Sequence, residues 1–334
     1  MIDRTDIAPG LSISRLVLGA MNLGDVTDTS ESIRILDRAV AAGATTIDTA
    51  DVYGSGASES VIGAWLSSRS GTRNRVQLAS KVGMSTGGVT PPATHGRTHI
   101  RLSCEASLRR LGVEHLDLYQ LHKPDFTADP LETLVALDDL VTDGLVRAIG
   151  TSSHPAWWLM ELQHLAEANG LSPIRTEQPP FNLLDRRIEN EVIPACLHAG
   201  ISVITWSPLA AGLLAGRYAE GVPADSRANR KAAVAERITR SARPMADRFL
   251  DIAHAWGLDP ASLAHSWVVS RPGVSAVIAG PRTLSHLDSA MAGLELELAP
   301  ELLTELDDLV APGSAVADFH NTSGWMGPLH PSPR

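Results

Sequence analysis

The sequence has little that would support binding to nucleic acid or to an anionic membrane. Its formal net charge is −10, from 28 Lys and Arg against 38 Asp and Glu, and no basic cluster interrupts it. No run approaches the roughly 18 apolar residues of a membrane span, and the opening MIDRTDIAPG lacks the apolar core of a secretion signal. We therefore expect no nucleic-acid partner, no membrane partner, and small-molecule chemistry in the cytoplasm.

Cysteine and lysine are also scarce. The two cysteines, Cys104 and Cys196, lie far apart within helical apolar patterns, which predicts two reduced, packed thiols and no metal site. Arginine far outnumbers lysine, which occurs only as Lys81, Lys123 and Lys231. A lysine in such a chain is therefore a candidate for a specific chemical role.

Short apolar runs alternate with helical patterns along the chain. The runs are VLGA, TTIDTA, VQLASKV, LDLYQLH, VRAIGTSS, IRTEQ, SVITWSP and SAVIAG. Most are about 25 to 40 residues apart with a helix between them, which favours βα units and a parallel sheet. The pattern predicts an α/β fold, a closed (β/α)8 TIM barrel, with a doubly wound open sheet as the structural alternative.

Caps and turns support the predicted helices. Asp28 and Glu31 have the spacing of a capping box, and Asp129-Pro130 and Ser153-His154-Pro155 are typical helix starts. Glycines that can take the left-handed C′ conformation end five of the helical patterns, at Gly43, Gly112, Gly144, Gly170 and Gly200.

We expect residues 1–334 to form a single barrel domain. An N-terminal cap is predicted at about residues 1–15 and a C-terminal tail at about residues 312–334. The polar stretch from Tyr218 to Arg243 predicts a loop or irregular helices over one end of the barrel.

Polar side chains occur where the predicted strands end, and in a barrel these ends share one face. Asp48 and Tyr53, in IDTADVYGSG, follow the second strand. Lys81 ends the third strand and His122 ends the fourth. The later strands end at Ser152, Gln178, Trp206 and the segment from Gly280 to Arg282. Each residue alone has an ordinary structural explanation, but their joint placement predicts a functional site.

The stretches IDTADVYGSG, LASKVG, IRLSCEASLRRLGVEHLDLYQLHKPD and VITWSPLAAGLLAGRY resemble the aldo-keto reductases, from about Leu11 to about Gly293. The resemblance implies a (β/α)8 barrel and a nicotinamide cofactor bound without a GxGxxG loop. It also implies a catalytic tetrad of Asp48, Tyr53, Lys81 and His122. The expected function is reduction of an aldehyde, ketone or keto-sugar with NADPH, and NADH is the less favoured cofactor.

The chemistry of hydride transfer supports that tetrad. Hydride addition places negative charge on the carbonyl oxygen, so a proton donor must lie within hydrogen-bond reach, and Tyr53 is the candidate acid. A lysine ammonium beside the phenol would lower its pKa, and Asp48 would keep Lys81 charged. His122 would donate to the substrate carbonyl as a neutral imidazole.

The resemblance also assigns residues to the nicotinamide half of the cofactor. Ser152, Ser153 and Gln178 would hold the carboxamide, with Ser153 in place of the family's usual Asn. Trp206 would stack on the nicotinamide ring, and a core position is the alternative for this tryptophan. The other predicted contacts on this half of the cofactor are Gly19, Met21 and Asp48.

The SPLAAG segment, at the start of a predicted helix, would cradle the pyrophosphate through Ser207, Pro208, Leu209 and Gly212. After the eighth strand, Gly280, Arg282 and His286 would hold the adenosine half. Arg282 would meet the 2′-phosphate, which favours NADPH. His286 and Ala290 stand where related proteins have Gln and Asn.

A mostly apolar pocket is expected for a small-molecule carbonyl substrate. The predicted substrate contacts are Asn22, Tyr53, His122, Trp157 and Trp325, and Val52 and the loop from Met84 to His95 are further pocket candidates. The tail with Trp325 is either a partial lid or a disordered end.

A second functional class remains open at this point. GTSSHPAWW and TWSPLAAG also resemble the potassium-channel β subunits, which share the barrel and the cofactor site but act as cytoplasmic regulatory partners. The intact tetrad does not separate the two classes. The short segment before the predicted barrel favours the enzyme over a channel-inactivating protein.

Overall fold

The computed structural model describes residues 2–84, 94–219, 221–224, 226–230, 232–236 and 241–320. An antiparallel hairpin of β1 (Arg4–Ala8) and β2 (Leu11–Ser14) comes first. Eight parallel strands then close into a barrel: β3 (Leu16–Gly19), β4 (Thr46–Asp48), β5 (Gln77–Val82), β6 (Leu116–Leu121), β7 (Val146–Ser152), β8 (Ile174–Gln178), β9 (Ser202–Thr205) and β10 (Val274–Ala279).

The barrel closes because β10 pairs with both β3 and β9. The other barrel strands pair in chain order, and helices on the outside connect them. The predicted (β/α)8 barrel is therefore confirmed, and the open sheet is excluded. No helix within the described part of the chain is both long enough and apolar enough to cross a membrane.

The helices are α1 (Thr29–Ala42), α2 (Ala57–Ser67), α3 (Arg97–Leu111), α4 (Pro130–Thr142), α5 (Ala156–Ala168), α6 (Val192–Ala199), α7 (Arg227–Arg230), α8 (Ala232–Ala235), α9 (Ala242–Ala255), α10 (Pro260–Ser270), α11 (Leu284–Glu295) and α12 (Pro300–Leu309). Short 3₁₀ turns lie at Tyr53–Gly56, Thr72–Arg75, Arg187–Glu189 and Ala210–Ala215. The described parts of the polar stretch before α9 contain only the two four-residue helices α7 and α8, which agrees with the predicted irregular structure.

The predicted helix ends have the expected geometry, with two differences. Asp28 caps α1 by accepting from the backbone N–H of Glu31 at 3.0 Å, and the five predicted C′ glycines all have positive φ. Glu31 does not complete a capping box, because its carboxylate accepts from the backbone N–H of Leu284 at 3.1 Å. Pro155 lies at the N-cap of α5, before its first turn, and no side chain caps that helix.

The hairpin closes the N-terminal end of the barrel with apolar side chains. Ile7, Leu11 and Ile13 are buried in one cluster with inward-facing strand residues, namely Val17, Ala79, Leu118, Ala148, Ile204, Ala276 and Ile278. Arg147 fixes the hairpin turn through a hydrogen bond of 2.8 Å to the carbonyl of Gly10. The three hairpin side chains thus form a hydrophobic plug.

Both cysteines are buried and unpaired. Burial, followed by the charge of Glu105, raises the pKa of the Cys104 thiol to about 12. Burial likewise raises the pKa of Cys196. The prediction of two packed thiols is confirmed.

Candidate active site

The predicted tetrad comes together at the C-terminal end of the barrel. Asp48 is the last residue of β4, and Lys81 lies in β5, one residue before its end. His122 follows β6 directly, with its N–H donating to the carbonyl of Val82 at 2.7 Å. Tyr53 starts the 3₁₀ turn after β4, so three chain segments, at the ends of β4, β5 and β6, bring the four functional groups to the same end of the barrel.

Lys81 is the centre of this group. It is fully buried, and its Nζ donates to Asp48 Oδ2 at 2.5 Å, to the carbonyl of Thr49 at 3.0 Å and to the hydroxyl of Tyr53 at 3.3 Å. Burial alone would lower the pKa of this lysine, but the charges of Asp48 and Tyr53 outweigh burial and raise it. Lys81 therefore keeps its proton and presents a fixed positive charge to the phenol.

Tyr53 and His122 face each other beside this charge. Their ring centroids are 5.5 Å apart, with an interplanar angle of 83°. Burial, together with the charges of Lys81 and Lys123, holds the pKa of His122 well below its usual range. The imidazole is therefore neutral near pH 7, as expected, and its buried Nδ1 finds no hydrogen-bond partner among the described residues.

Two glutamines hold the other oxygen of the Asp48 carboxylate. Gln178 Nε2 donates to Asp48 Oδ1 at 2.8 Å, and Gln120 Nε2 donates to the same oxygen at 3.3 Å. These bonds, with the lysine on Oδ2, satisfy a carboxylate that is almost fully buried. Gln120 was missed in the sequence, although a glutamine inside the buried strand LDLYQL is a detectable signal.

Ser152 and Gln178, predicted to hold the carboxamide, are neighbours at the ends of β7 and β8. The Ser152 hydroxyl donates to the backbone carbonyl of Gln178 at 2.8 Å, which leaves its oxygen lone pairs able to accept. Ser153 has a left-handed backbone with φ of 58°. The structure thus brings this predicted group together, with Gln178 also bound to the tetrad.

A buried glutamate supports the turn that carries these serines. Glu177 accepts from Thr151 Oγ1 at 2.6 Å and from the backbone N–H of His154 at 3.0 Å. Burial raises the pKa of Glu177 to about 8 against the effect of these bonds. Glu177 directly precedes Gln178. It was not singled out from the sequence, because nothing there distinguishes it from a surface carboxylate.

The predicted pyrophosphate segment differs from the expected helix start. Ser207, Ala210, Ala211 and Gly212 all have positive φ, at 64°, 49°, 58° and 102°. These values interrupt the 3₁₀ turn Ala210–Ala215, so no regular α-helix begins here. Leu209, with φ of −88°, directly precedes the left-handed Ala210. A right-handed residue followed by a left-handed one points successive N–H groups to one side, which is also an anion-binding arrangement.

A group of basic side chains lies beside this segment. Burial, then the charges of Arg282 and Arg217, lower the pKa of His286, so both guanidinium groups are close to that ring. The stem of Arg217 also packs on Gly212, where a Cβ would lie 3.3 Å from Arg217 Cβ and Cδ. Arg217 was missed, although it is the basic residue of the motif LLAGRY in an acidic chain.

Four other predicted residues lie at the end of β3 or in the loops that follow β3 and β10. Asn22 donates to the carbonyl of Gly280 at 3.0 Å, so its amide braces the loop after β10. A Cβ on Gly19 would lie 2.6 Å from the side chain of Ile278, and this close packing alone requires a glycine. Gly280 has no such neighbour, and Met21 is partly buried next to Asn22.

Trp157 is 52% exposed and stacks on Phe126, with ring centroids 5.5 Å apart and an interplanar angle of 15°. Phe126 follows β6 and Trp157 follows β7, so this pair lies on the same side of the barrel as the tetrad. Trp206 follows β9 and packs against the inner cluster of the barrel. Trp325 and most of the loop from Met84 to His95 lie outside the described residues.

A (β/α)8 barrel that joins a tyrosine, a lysine, an aspartate and a histidine at its mouth belongs to the class of barrel oxidoreductases. The chain is a member of the aldo/keto reductase family, whose model matches residues 15–311. The protein is therefore an oxidoreductase, and the general chemistry of its family is carbonyl reduction with a nicotinamide cofactor.

Individual relatives cover almost the whole chain. Oxidoreductase YrpG of Bacillus subtilis is 36% identical over 320 residues, which span 93% of this chain and 97% of the relative. Versiconal hemiacetal acetate reductase of Aspergillus parasiticus is 32% identical, over 91% of this chain and 95% of the relative. A probable voltage-gated potassium channel subunit beta of Oryza sativa subsp. japonica is 31% identical, over 90% and 94%.

Proposed function

We propose that this protein is an NADPH-dependent reductase that converts an aldehyde, ketone or keto-sugar into an alcohol, with Tyr53 as the proton donor. The observation that carries the proposal is the position of Lys81 Nζ, 2.5 Å from Asp48 and 3.3 Å from the Tyr53 hydroxyl. A buried, charged ammonium at this distance stabilises the phenolate and so makes the phenol a stronger acid. The same arrangement of Asp48, Lys81 and Tyr53 serves alcohol oxidation in the reverse direction.

Each residue of the tetrad has a separate role in the transfer of one proton. When bound, the nicotinamide cofactor supplies the hydride that reaches the carbonyl carbon. Tyr53 gives its hydroxyl proton to the carbonyl oxygen as negative charge develops there, and Lys81 stabilises the resulting phenolate. His122, kept neutral by its surroundings, donates a hydrogen bond that orients the carbonyl oxygen. Asp48 keeps Lys81 protonated throughout.

The residues present fit an extended nicotinamide dinucleotide. Ser152 can accept from the carboxamide, and Gln178 can accept through Oε1, since its amide nitrogen donates to Asp48. Trp206 would cover the nicotinamide ring, and the turn from Ser207 to Gly212, with its four left-handed residues, would bind the pyrophosphate. This assignment keeps the predicted role of SPLAAG and replaces the helix start with a turn.

Two guanidinium groups at one end of that path favour NADPH over NADH. Arg282 and Arg217 both act on His286, so their charges converge near the predicted adenosine end. A 2′-phosphate placed there would accept planar, bidentate hydrogen bonds from an arginine.

The substrate is proposed to enter between the loops that follow β3, β6 and β7. Asn22 braces one side of this opening, and the exposed Trp157 forms an aromatic edge on the other. An uncharged carbonyl compound suits such a pocket. The net charge of −10 and two free, buried cysteines are consistent with work in the cytoplasm on a small molecule and without nucleic acid.

The direct test is an assay of a panel of aldehydes, ketones and keto-sugars by loss of NADPH absorbance, repeated with NADH. We expect turnover of at least one carbonyl class, with kcat/KM higher for NADPH. The same panel with Lys81→Met is the control for contaminating reductases, because that variant keeps the barrel mouth but loses the ammonium. Absence of turnover across the panel, in protein that binds NADPH, would reject the enzyme proposal.

A cofactor-binding regulatory subunit is the second candidate, since one relative is named as a potassium channel subunit beta. Such a protein would bind NADPH and a stoichiometric membrane partner. Quantitative pull-down from solubilised membranes, with and without NADPH, separates the two candidates. A stoichiometric partner together with no turnover favours the regulatory subunit, and turnover without a partner favours the enzyme.

A further inference from the structure

The motif IDTADVYGSG contains a second aspartate that the tetrad does not use. Asp51 lies between Asp48 and Tyr53 in sequence, is almost fully buried, and has an Oδ1 atom without a hydrogen-bond partner among the described residues. Its backbone N–H points to the carbonyl of Lys81 at 3.4 Å. A buried carboxyl group directly behind the catalytic lysine needs a nearby positive charge or a proton.

The positive charge comes from outside the barrel, from helix α3. Arg110 Nε donates to Glu59 Oε2 at 2.6 Å, and Ser80 Oγ donates to Glu59 Oε1 at 2.6 Å. Glu59 is a fully buried residue of α2, and Ser80 precedes Lys81 in β5. The ion pair therefore connects α3 and α2 to the strand that carries the catalytic lysine.

The same arginine packs on the turn that carries Tyr53. Gly56 ends this turn with φ of 94°, and a Cβ there would lie 2.8 Å from Arg110 Cδ and 3.0 Å from Nε. Gly54 and Ser55 inside the turn also have left-handed φ values of 55° and 53°. Glycine takes such φ values without strain, so Ser55 is the residue of this turn whose left-handed conformation costs energy and has to be held by surrounding contacts.

The charges around Asp51 form one buried group with Arg110. Burial and then the charge of Glu59 raise the pKa of Asp51 to about 7, while the charges of Arg110 and Lys81 oppose them. Burial raises the pKa of Tyr119 in β6, the charges of Cys104, Asp51 and Glu59 raise it further, and the charge of Arg110 opposes them. The guanidinium group of Arg110 thus opposes the rise in pKa of both Asp51 and Tyr119.

We infer that Arg110, although it lies on an outer helix, is a positioning residue for Tyr53. Through Glu59 and Gly56 it holds the turn Tyr53–Gly56 against β5 and so fixes the distance from the Tyr53 hydroxyl to Lys81 Nζ. The inference rests on the proposed role of Tyr53 as proton donor. In this way the ion pair of Arg110 and Glu59, which lies outside the tetrad, controls the acid strength of the Tyr53 phenol.

The test is a titration of Tyr53 by the absorbance of tyrosinate. For each variant, the trace of the same variant with Tyr53→Phe added is subtracted, because Arg110 also acts on Tyr119, one of the other two tyrosines. Lys81, Asp48 and His122 face this phenol and stay unchanged in every variant. In Arg110→Met, we expect the apparent pKa of Tyr53 to rise by about one unit, because the phenol moves away from the ammonium. Turnover per cofactor-binding site should fall about tenfold, with cofactor Kd unchanged.

Two further variants separate positioning from stability. Arg110→Lys keeps the charge near Glu59 and should recover most of the phenol titration. Arg101→Met is the matched control, since Arg101 lies on the same helix and pairs with Glu105 at 3.0 Å and Asp143 at 2.5 Å without contacting the turn. It should leave the titration and the turnover unchanged, whatever its effect on thermal stability.

An unchanged Tyr53 titration in folded Arg110→Met would overturn the inference, even if turnover fell. If Arg110→Met does not fold, Glu59→Gln replaces it, because it keeps the bond to Ser80 and removes the ion pair. The same rise in pKa in Glu59→Gln supports the inference, and no rise overturns it. Failure of the proposed function is distinguishable, since it would show as normal turnover in Tyr53→Phe and not in the titration of Arg110→Met.

Discussion

At the N-terminal end of the barrel the interior is filled by Ile7, Leu11 and Ile13 of the hairpin, whereas at the C-terminal end it holds Asp48, Lys81 and the two glutamines that donate to Asp48. Both ends are buried and both are well packed. At the hairpin end, burial of apolar area stabilises the fold directly. At the other end, buried charges must be offset by geometry, and they are retained because they perform chemistry.

The difference is visible in how each end tolerates change. Truncating a side chain of the apolar plug lowers the free energy of unfolding in proportion to the atoms removed and the cavity left. A buried ion pair such as that of Lys81 and Asp48 depends on both partners, because removing one leaves the other charge without compensation. Variants at the hairpin end should therefore affect stability alone, and variants at the tetrad should affect activity first.

The largest effect is expected for Lys81→Met. Turnover should fall by about 10² to 10⁴, because the phenol loses the charge that makes it acidic. The alkaline limb of the reduction-direction pH profile, where the rate falls because the phenol has lost the proton it must donate, should move to higher pH as the phenol returns towards its ordinary pKa. Steady-state rates across pH provide both measurements. A profile that keeps its alkaline limb in place would show that Lys81 does not act on Tyr53.

Asp48→Asn should give a milder form of the same change, since it removes the partner of Lys81 but not the ammonium. Asparagine keeps the size of the side chain and can still contact Gln178. We expect turnover between those of the native enzyme and Lys81→Met, with a smaller shift of the alkaline limb. A loss greater than that of Lys81→Met would mean that Asp48 has a separate role.

At the opposite end, Ile13→Ala should lower the free energy of unfolding by about 2 to 5 kcal/mol, because Ile13 is 1% exposed inside the plug. Turnover measured well below the melting temperature should not change. Urea unfolding followed by fluorescence measures the first quantity. The control is Leu197→Ala, whose leucine is 62% exposed, with an expected change within about 0.5 kcal/mol. A loss of kcat in Ile13→Ala would contradict the expectation that variants at the hairpin end affect stability alone.

A smaller effect, on affinity only, is expected for Arg282→Ala. The Kd of NADPH should rise about tenfold to a hundredfold, which corresponds to about 1.5 to 3 kcal/mol, while that of NADH changes little. Quenching of tryptophan fluorescence measures both constants. Arg38→Ala is the matched control, because Arg38 pairs at 2.9 Å with Asp288 of α11, the helix that begins two residues after Arg282. Equal weakening of both cofactors by Arg282→Ala would reject the 2′-phosphate assignment.

The barrel and the members of the tetrad could be predicted because each depends on local sequence. Alternating runs and glycine C-caps mark the strands and helices, and Asp48, Lys81 and His122 stand at or beside strand ends. Residues that act through space were missed. Arg110 reaches the Tyr53 turn from α3, and its role depends on packing between helices that no sequence period shows.

Backbone conformation was the other source of error. Ala211 takes a positive φ that alanine rarely adopts, and it turns SPLAAG into a 3₁₀ turn where a helix start was expected. The same turn brings Arg217 back beside Gly212. Neither feature can be inferred from residue types that favour helices.

The measurement that tests the central claim most directly is single-turnover reduction by Tyr53→Phe, with cofactor Kd determined on the same protein. The substitution keeps the ring that faces His122 and removes only the hydroxyl that lies 3.3 Å from Lys81 Nζ. We predict a rate about 10² to 10⁴ lower, with the cofactor Kd nearly unchanged. Near-normal turnover on a good substrate would contradict the account, because another group would then deliver the proton.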